Sequence, residues 1–227
     1  MKSMERSGFD NMCWGLLVTS MSAALYMAFI QAPQEKTMGD LQRIFYFHVP
    51  AAITGLTALA VNFVASLMFL IRKNRWWDNL ALSAAEIGVV FLTMVLVTGP
   101  IWAKPVWFIW WTWSPRLTSS LVLWMLYVAY LLVRNYTADP DRRALMSAVF
   151  GIVAFVDAPI VWFSIRWWRD IHPSPMLETG GLSPAMQPAL WTCWAAFQVL
   201  FIYLIRRRVF LESAQQEIEW IERRLDA

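Results

Sequence analysis

The chain has only two histidines, His48 and His172. An imidazole can carry a proton near neutral pH or bind a metal through either ring nitrogen. His48 stands in Arg43-Ile44-Phe45-Tyr46-Phe47-His48-Val49-Pro50. His172 closes Arg166-Trp167-Trp168-Arg169-Asp170-Ile171-His172 and is followed by Pro173. Between them in sequence lies a segment, 99–118, that carries Trp102, Trp107, Trp110, Trp111 and Trp113 and is punctuated by Pro100, Pro105 and Pro115. Two imidazoles and an indole wall suit a haem, whose iron takes two axial nitrogens on opposite faces and whose edge needs apolar contact. The propionates need cations, and Arg43, Lys104, Arg116, Arg166 and Arg169 are at hand. Zinc fits less well, because it wants three or four nitrogen or sulfur ligands and no thiol accompanies either histidine. Two plain readings stand beside the ligand reading. A histidine at a helix end is often an interfacial polar group, and tryptophans at headgroup level often only anchor a helix.

Other chemistries lack their residues. There is no Walker A sequence for ATP hydrolysis. Glu86 and Asp157 are the only acids inside the long apolar runs, and both read as structural: Glu86 either snorkelling to the inner surface or bonding a neighbouring helix, Asp157 serving backbone freed by Pro159. The net charge of +3 is small and dispersed, which argues against nucleic acid as a partner.

The elements that position these residues follow from composition. The 227 residues are 59% hydrophobic and 15% charged, against about 25% charged in a soluble domain. Apolar runs long enough to cross the hydrocarbon core predict helices at about 12–31, 48–71, 80–99, 117–134, 146–165 and 186–206. No sustained alternation supports a barrel. The expected class is an all-α integral membrane protein with six transmembrane helices, a single polytopic domain over 1–227. The first run is longer than a signal-peptide core and is followed by no small-residue cleavage pattern, so it reads as a retained span.

Lys and Arg set the orientation. The N-terminus, the second and fourth loops and the C-terminus carry most of them, including Arg72, Lys73, Arg75, Arg134, Arg142, Arg143 and Arg206 to Arg208. Both termini are therefore expected in the cytoplasm, and both histidines and the tryptophan segment on the outer face. Pro105 suits the first turn of a helix and Pro115 the end of one, which predicts a short tryptophan-rich helix along the periplasmic surface. The tail, 207–227, reads as a cytoplasmic amphipathic helix continuing the last span, with Leu211, Ala214, Ile218, Ile221 and Leu225 at heptad-like spacing. Membrane-surface packing or a protein partner would explain that stripe equally. Cys13 and Cys193 fall on opposite sides and cannot pair.

The tryptophan segment followed by Arg116-Leu117-Thr118-Ser119 resembles the signature of the haem-handling membrane proteins of cytochrome c biogenesis. Length, six spans and two outer histidines narrow the resemblance to the haem exporter protein C (CcmC) family. The stretches Arg43 to Ala52 and Ser164 to His172 are similar to that family's surroundings of its two histidines. The resemblance implies that His48 and His172 are the axial iron ligands of a non-covalent haem b. It implies that Trp102, Trp107, Trp110, Trp111 and Trp113 form the haem platform, with Arg43, Lys104 and Arg116 among the binding residues. It implies residence in the bacterial cytoplasmic (inner) membrane and delivery of haem to a periplasmic chaperone (CcmE-like). The other partners it implies are ABC transporter subunits (CcmA- and CcmB-like) and a small single-span subunit (CcmD-like). The activity would be transfer rather than hydrolysis or redox turnover. The rival expectation is a b-type electron-transfer subunit with two histidine ligands. The family loop usually runs Trp-Gly-Lys-Pro, then Trp-Gly-Thr-Trp-Trp with an acid after the last Trp. Here Ala103, the pair Phe108-Ile109 and Ser114 stand in those places.

Overall fold

The computed structural model describes residues 8–168, 172 and 181–225. Among them there is no strand, and six helical stretches are long and apolar enough to cross a membrane. The chain is a multi-pass membrane protein. Helix α1 (Gly8–Tyr26) runs on as a π turn (Met27–Gln31). A single 3₁₀ stretch (Asp40–Ile44) leads into α2 (Phe45–Arg72). Then come α3 (Arg75–Trp107), α4 (Pro115–Tyr136), α5 (Pro140–Ala154), α6 (Asp157–Trp167) and α7 (Gln187–Leu225). The predicted spans correspond to α1, α2, α3, α4, the pair α5–α6, and α7.

Local chemistry sets most boundaries. The Asn74 side chain accepts from the Trp76 N–H at 2.8 Å and opens α3, and Asp139 does the same for Arg142 N–H at 2.7 Å ahead of α5. Pro115 and Pro140 stand in the first turns of α4 and α5, where a missing N–H costs nothing. The fifth span breaks at Phe155 and Val156. Pro159 has no N–H for the Phe155 carbonyl, which instead accepts from Ala158 N–H at 3.0 Å. The Asp157 side chain does not serve that backbone as expected. Its Oδ2 is buried and finds no partner among the described residues.

A second difference lies in the tryptophan segment. The reading that ended a span near 99 and put a separate helix between Pro105 and Pro115 does not hold. Helix α3 continues unbroken through Pro100 and Pro105 to Trp107. Each proline removes one intrahelical bond, to the carbonyls of Leu96 and Ile101, but its fixed φ suits a helix, so α3 persists. It ends at Phe108, whose φ is 61° and ψ 14°, a left-handed helix stop. Residues 109–114 are irregular, and Pro115 begins α4 instead of ending a helix.

Helices α2 and α3 are the centre. They pack antiparallel along their length, with α1 and α7 on one flank and α4, α5 and α6 on the other. Small residues let the backbones approach, as expected where lipid supplies no hydrophobic drive between helices. A Cβ on Gly88 would lie 2.5 Å from Leu59 Cδ2, and one on Gly151 2.7 Å from Asn62 Oδ1. One core joins Leu59, Leu82, Leu92, Leu123, Tyr127 and Tyr130; a second joins Ala24 and Ala28 of the first span to Leu190 and Cys193 of α7. Cys13 and Cys193 are both free thiols.

The bundle has two unlike ends. At the tail end, Arg134 makes a buried bidentate pair with Asp78, at 2.6 and 2.7 Å. Glu86 pairs with Arg208 of α7, the second of the two roles its position left open. Arg75 bonds the Pro140 carbonyl and Asp141. Helix α7 runs without a break from Gln187 to Leu225. Its polar face packs inward, Ser213 and Gln216 meeting Asn79, while Leu211, Ile218, Ile221 and Leu225 are exposed.

Candidate functional site

The other end gathers the C-termini of α1, α3 and α6 and the N-termini of α2, α4 and α7. The antiparallel pairing of α2 with α3 puts His48, in the first turn of α2, against Thr98 and Gly99 near the end of α3. His48 Nδ1 lies 2.8 Å from Thr98 Oγ1, and a Cβ on Gly99 would stand 3.5 Å from His48 Cε1. Thr98 Oγ1 also donates to the Met94 carbonyl at 2.7 Å. Phe47 of the same turn stacks on Phe29 and leans on Phe197, which fixes the start of α2 against the first span and α7.

His172, far along the chain, comes within electrostatic reach of His48. It is half-buried in a bend beyond α6, and it and Arg116 of α4 act electrostatically on His48. The structure thus brings together three of the residues singled out from sequence. Arg169 lies outside the described residues, and Arg166 sits in the last turn of α6.

The five indoles do not form one flat plate. Trp102 and Trp107 meet edge to face, with centroids 4.9 Å apart and planes at 82°, and Trp111 and Trp113 do so at 5.9 Å and 78°. Trp102, Trp107 and Trp111 are half-buried, while Trp110 and Trp113 are exposed beside Phe108 and Ile109. A planar ligand would meet ring faces and ring edges in turn, a mixture that indole quadrupoles favour.

The cations are placed unequally. Arg43 binds the carbonyls of Ala28 and Ala32, at the end of the π turn, and Asp40 through Nε at 2.9 Å. It closes the C-terminus of the first span. Lys104 donates to the Phe108 carbonyl at 3.3 Å and stands 5.9 Å from the Trp110 ring, so it caps α3. Arg116 lies within electrostatic reach of His48.

Polar groups without partners mark the same segment. Trp102 Nε1, Trp111 Nε1, Thr112 Oγ1, Ser114 Oγ and Thr118 Oγ1 are buried and find no hydrogen bond among the described residues. Leaving a buried donor unmade costs about 1–3 kcal/mol each, so such groups ordinarily have a ligand or water to meet. Sequence reasoning missed Thr98, Gly99, Thr112 and Thr118. The signal for Thr98 was a polar residue at the close of an apolar run, but its partner depends on helix register. Among the described residues, no group of three or more His, Cys, Asp or Glu could hold a bare metal ion.

The loop before α2 is also built. Glu35 accepts from Thr37 Oγ1 and from the N–H groups of Thr37 and Met38, at 2.6–2.7 Å. The Thr37 hydroxyl first, and the Met38 N–H next, hold its carboxyl below the ordinary range.

Comparison with known proteins bears on this arrangement. The family described as Heme exporter protein C matches residues 5–224. A heme exporter protein C of Bradyrhizobium diazoefficiens is 32% identical over 204 residues, covering 85% of this chain and 77% of that protein. The one from Escherichia coli K12 is 33% identical over 195 residues, covering 84% and 78%. The one from Haemophilus influenzae is 31% identical over 196 residues, covering 84% and 80%.

Proposed function

The chain belongs to the heme exporter protein C family, and from that premise we propose that it holds haem b non-covalently and hands it on during cytochrome c maturation. The site faces the periplasm from the bacterial inner membrane. The receiver is a periplasmic haem chaperone of the CcmE kind. An ABC transporter of CcmA- and CcmB-like subunits, with a small CcmD-like subunit, stands beside it. The basic-residue bias that puts both termini in the cytoplasm supports this orientation.

The observation that carries the reading is that His172 and Arg116 both lie within electrostatic reach of His48, which packs on the end of α3 that leads into the tryptophan segment. His48 and His172 are the metal-binding pair, Arg116 the first cation for a propionate, and the unpartnered groups from Trp102 to Thr118 the donors that a carboxylate would satisfy. Arg43 and Lys104 act on the site indirectly, by fixing the ends of the first span and of α3. Haem iron supplies two axial positions, and the chain needs no acid–base machinery to use them. Release requires only that one imidazole give way to the receiving protein. The half-buried position of His172, in a bend outside the helices, favours it as the ligand that yields. That position also speaks against a b-type electron-transfer subunit, whose histidines face each other from helices inside a bundle.

The test is optical. Purified protein should show a Soret band, and His48→Ala and His172→Ala should each weaken or shift it while circular dichroism stays helical. An unchanged Soret band in both variants sinks the reading. Replacing several loop tryptophans should impair chaperone loading more than membrane insertion.

A further inference from the structure

We propose that Thr98 is a positioning residue: it holds His48 as the tautomer protonated on Nδ1 and so leaves Nε2 as the nitrogen that can bind a metal. The inference rests on the reading of His48 as a haem ligand, but the tautomer follows from the structure alone.

The argument is a proton count. Thr98 has one hydroxyl proton. Its Oγ1 lies 2.7 Å from the Met94 carbonyl oxygen and 2.8 Å from His48 Nδ1. Two oxygens that close repel unless a proton lies between them, and a carbonyl has none to give. The Thr98 proton therefore points to Met94. The contact with Nδ1 is also within hydrogen-bond distance and needs a proton of its own. Only the imidazole can supply it. His48 is then an Nδ1–H donor, and its lone pair sits on Nε2, to which the described residues make no hydrogen bond.

The rest of the neighbourhood agrees. Threonine in a helix divides between two rotamers because its hydroxyl can bond the carbonyl one turn back. Here that bond is made, so the rotamer aimed at His48 is the one selected. Gly99 lies along the Cε1 edge of the ring, where even a methyl would only reach van der Waals contact, so the ring is bounded without being blocked. A metal-binding histidine whose second nitrogen donates to a fixed acceptor is oriented and made more basic, and loss of that acceptor typically costs about 10–100-fold in metal affinity. The two histidines differ in their settings: His48 is held in the first turn of a helix against α3, and His172 stands in a bend.

Two measurements test this. In haem-free protein labelled with nitrogen-15 at histidine and placed in lipid nanodiscs, His48 should show a protonated Nδ1 and an unprotonated Nε2. Thr98→Val should lose that pattern and Thr98→Ser keep it. An Nε2–H tautomer in the native protein, or an unchanged pattern in Thr98→Val, overturns the assignment. In titrations with hemin, Thr98→Val should bind about 10–100-fold more weakly and shift the iron–histidine stretching band, and Thr98→Ser should restore both. Equal affinity and an unmoved band in Thr98→Val, in a protein of native helicity, overturn the positioning role. Hemin binding that is indifferent to His48→Ala would instead sink the haem reading, and the nitrogen-15 pattern would still decide the tautomer.

Discussion

Two departures from the family loop fall on backbone of opposite character, and they should respond to glycine with opposite signs. Phe108 stops α3 in the left-handed region, at φ 61°. A side chain there costs roughly 1–2 kcal/mol, which glycine escapes. Glycine also frees the unfolded chain, which takes back about 0.4–1 kcal/mol. The Phe108 side chain is 82% exposed, so little burial is lost on removing it. Comparing Phe108→Gly with Phe108→Ala cancels that small loss, and the glycine variant should be the more stable of the two by about 1 kcal/mol. Ala103 is the other departure. It is buried within α3 proper, so Ala103→Gly should cost about 1 kcal/mol instead. Reversible unfolding in mixed detergent micelles, followed by circular dichroism, reads both differences. If Phe108→Ala proved as stable as Phe108→Gly, α3 would not end in a strained left-handed stop, and the account of the loop that follows it would fall. The pair also separates backbone strain from ligand contact: a Phe108→Gly change that altered hemin affinity without altering stability would show the side chain itself at the site.

Arg134→Leu alone should destabilise by about 3–5 kcal/mol, because it leaves Asp78 buried without a partner, whereas Asp78→Asn with Arg134→Leu should recover much of that loss; equal costs for the single and double variants would refute the buried pair. Gly151→Ala should cost about 1–3 kcal/mol, since its new methyl meets Asn62 Oδ1, Ser66 Oγ and the Tyr130 ring at 2.7–3.2 Å, and a neutral result in the same unfolding assay would place α5 farther from α2 than described. Glu35 has its carboxyl held below the ordinary range by Thr37 and Met38, so its contribution to the loop is complete above the usual carboxylate pKa and is lost as pH falls through the lowered one. Proteolysis at 33–39 should therefore rise in acid in the native protein and be flat with pH in Glu35→Gln.

The spans were legible because hydrocarbon thickness and uncharged length leave little choice, whereas Glu86 was legible only as a structural acid, its choice between the surface and the Arg208 of a neighbouring helix being settled by packing. The tryptophans and both histidines stood out by residue type and spacing alone. What sequence reasoning could not supply was register. His48 and Thr98 are fifty positions apart, and Asp78 and Arg134 fifty-six, so each contact exists only once two antiparallel helices have chosen their offset. The prolines misled for a physical reason. Pro100 and Pro105 each forfeit one bond without forbidding the helical φ, so α3 kept going, whereas Pro159 broke its span at Phe155. The same residue type gave a continuation in one place and an interruption in the other.

Buried polar atoms without a partner occur inside the bundle, at Asn62, Ser66, Tyr130 and Ser147, and five more are gathered in the tryptophan segment. At the tail end Asp78, Glu86, Arg134 and Arg208 are matched, and Asn79 meets two residues of α7. Breaking any of these exposes an unpaired charge or amide, so that end is held firm. At the tryptophan end the hydrogen-bonding groups of Trp102, Trp111, Thr112, Ser114 and Thr118 are buried and meet nothing among the described residues. Five such groups together would be a heavy burden for a helix anchor, which needs only apolar rings at headgroup depth and leaves its N–H groups wet. They are a burden a ligand with carboxylates would lift. A loop built only to anchor should therefore be stabilised by turning Thr112, Ser114 and Thr118 into apolar residues of like size, with no effect on hemin binding. A loop built to receive a propionate should gain the same stability and lose affinity. The two accounts agree on the fold and part on that single titration.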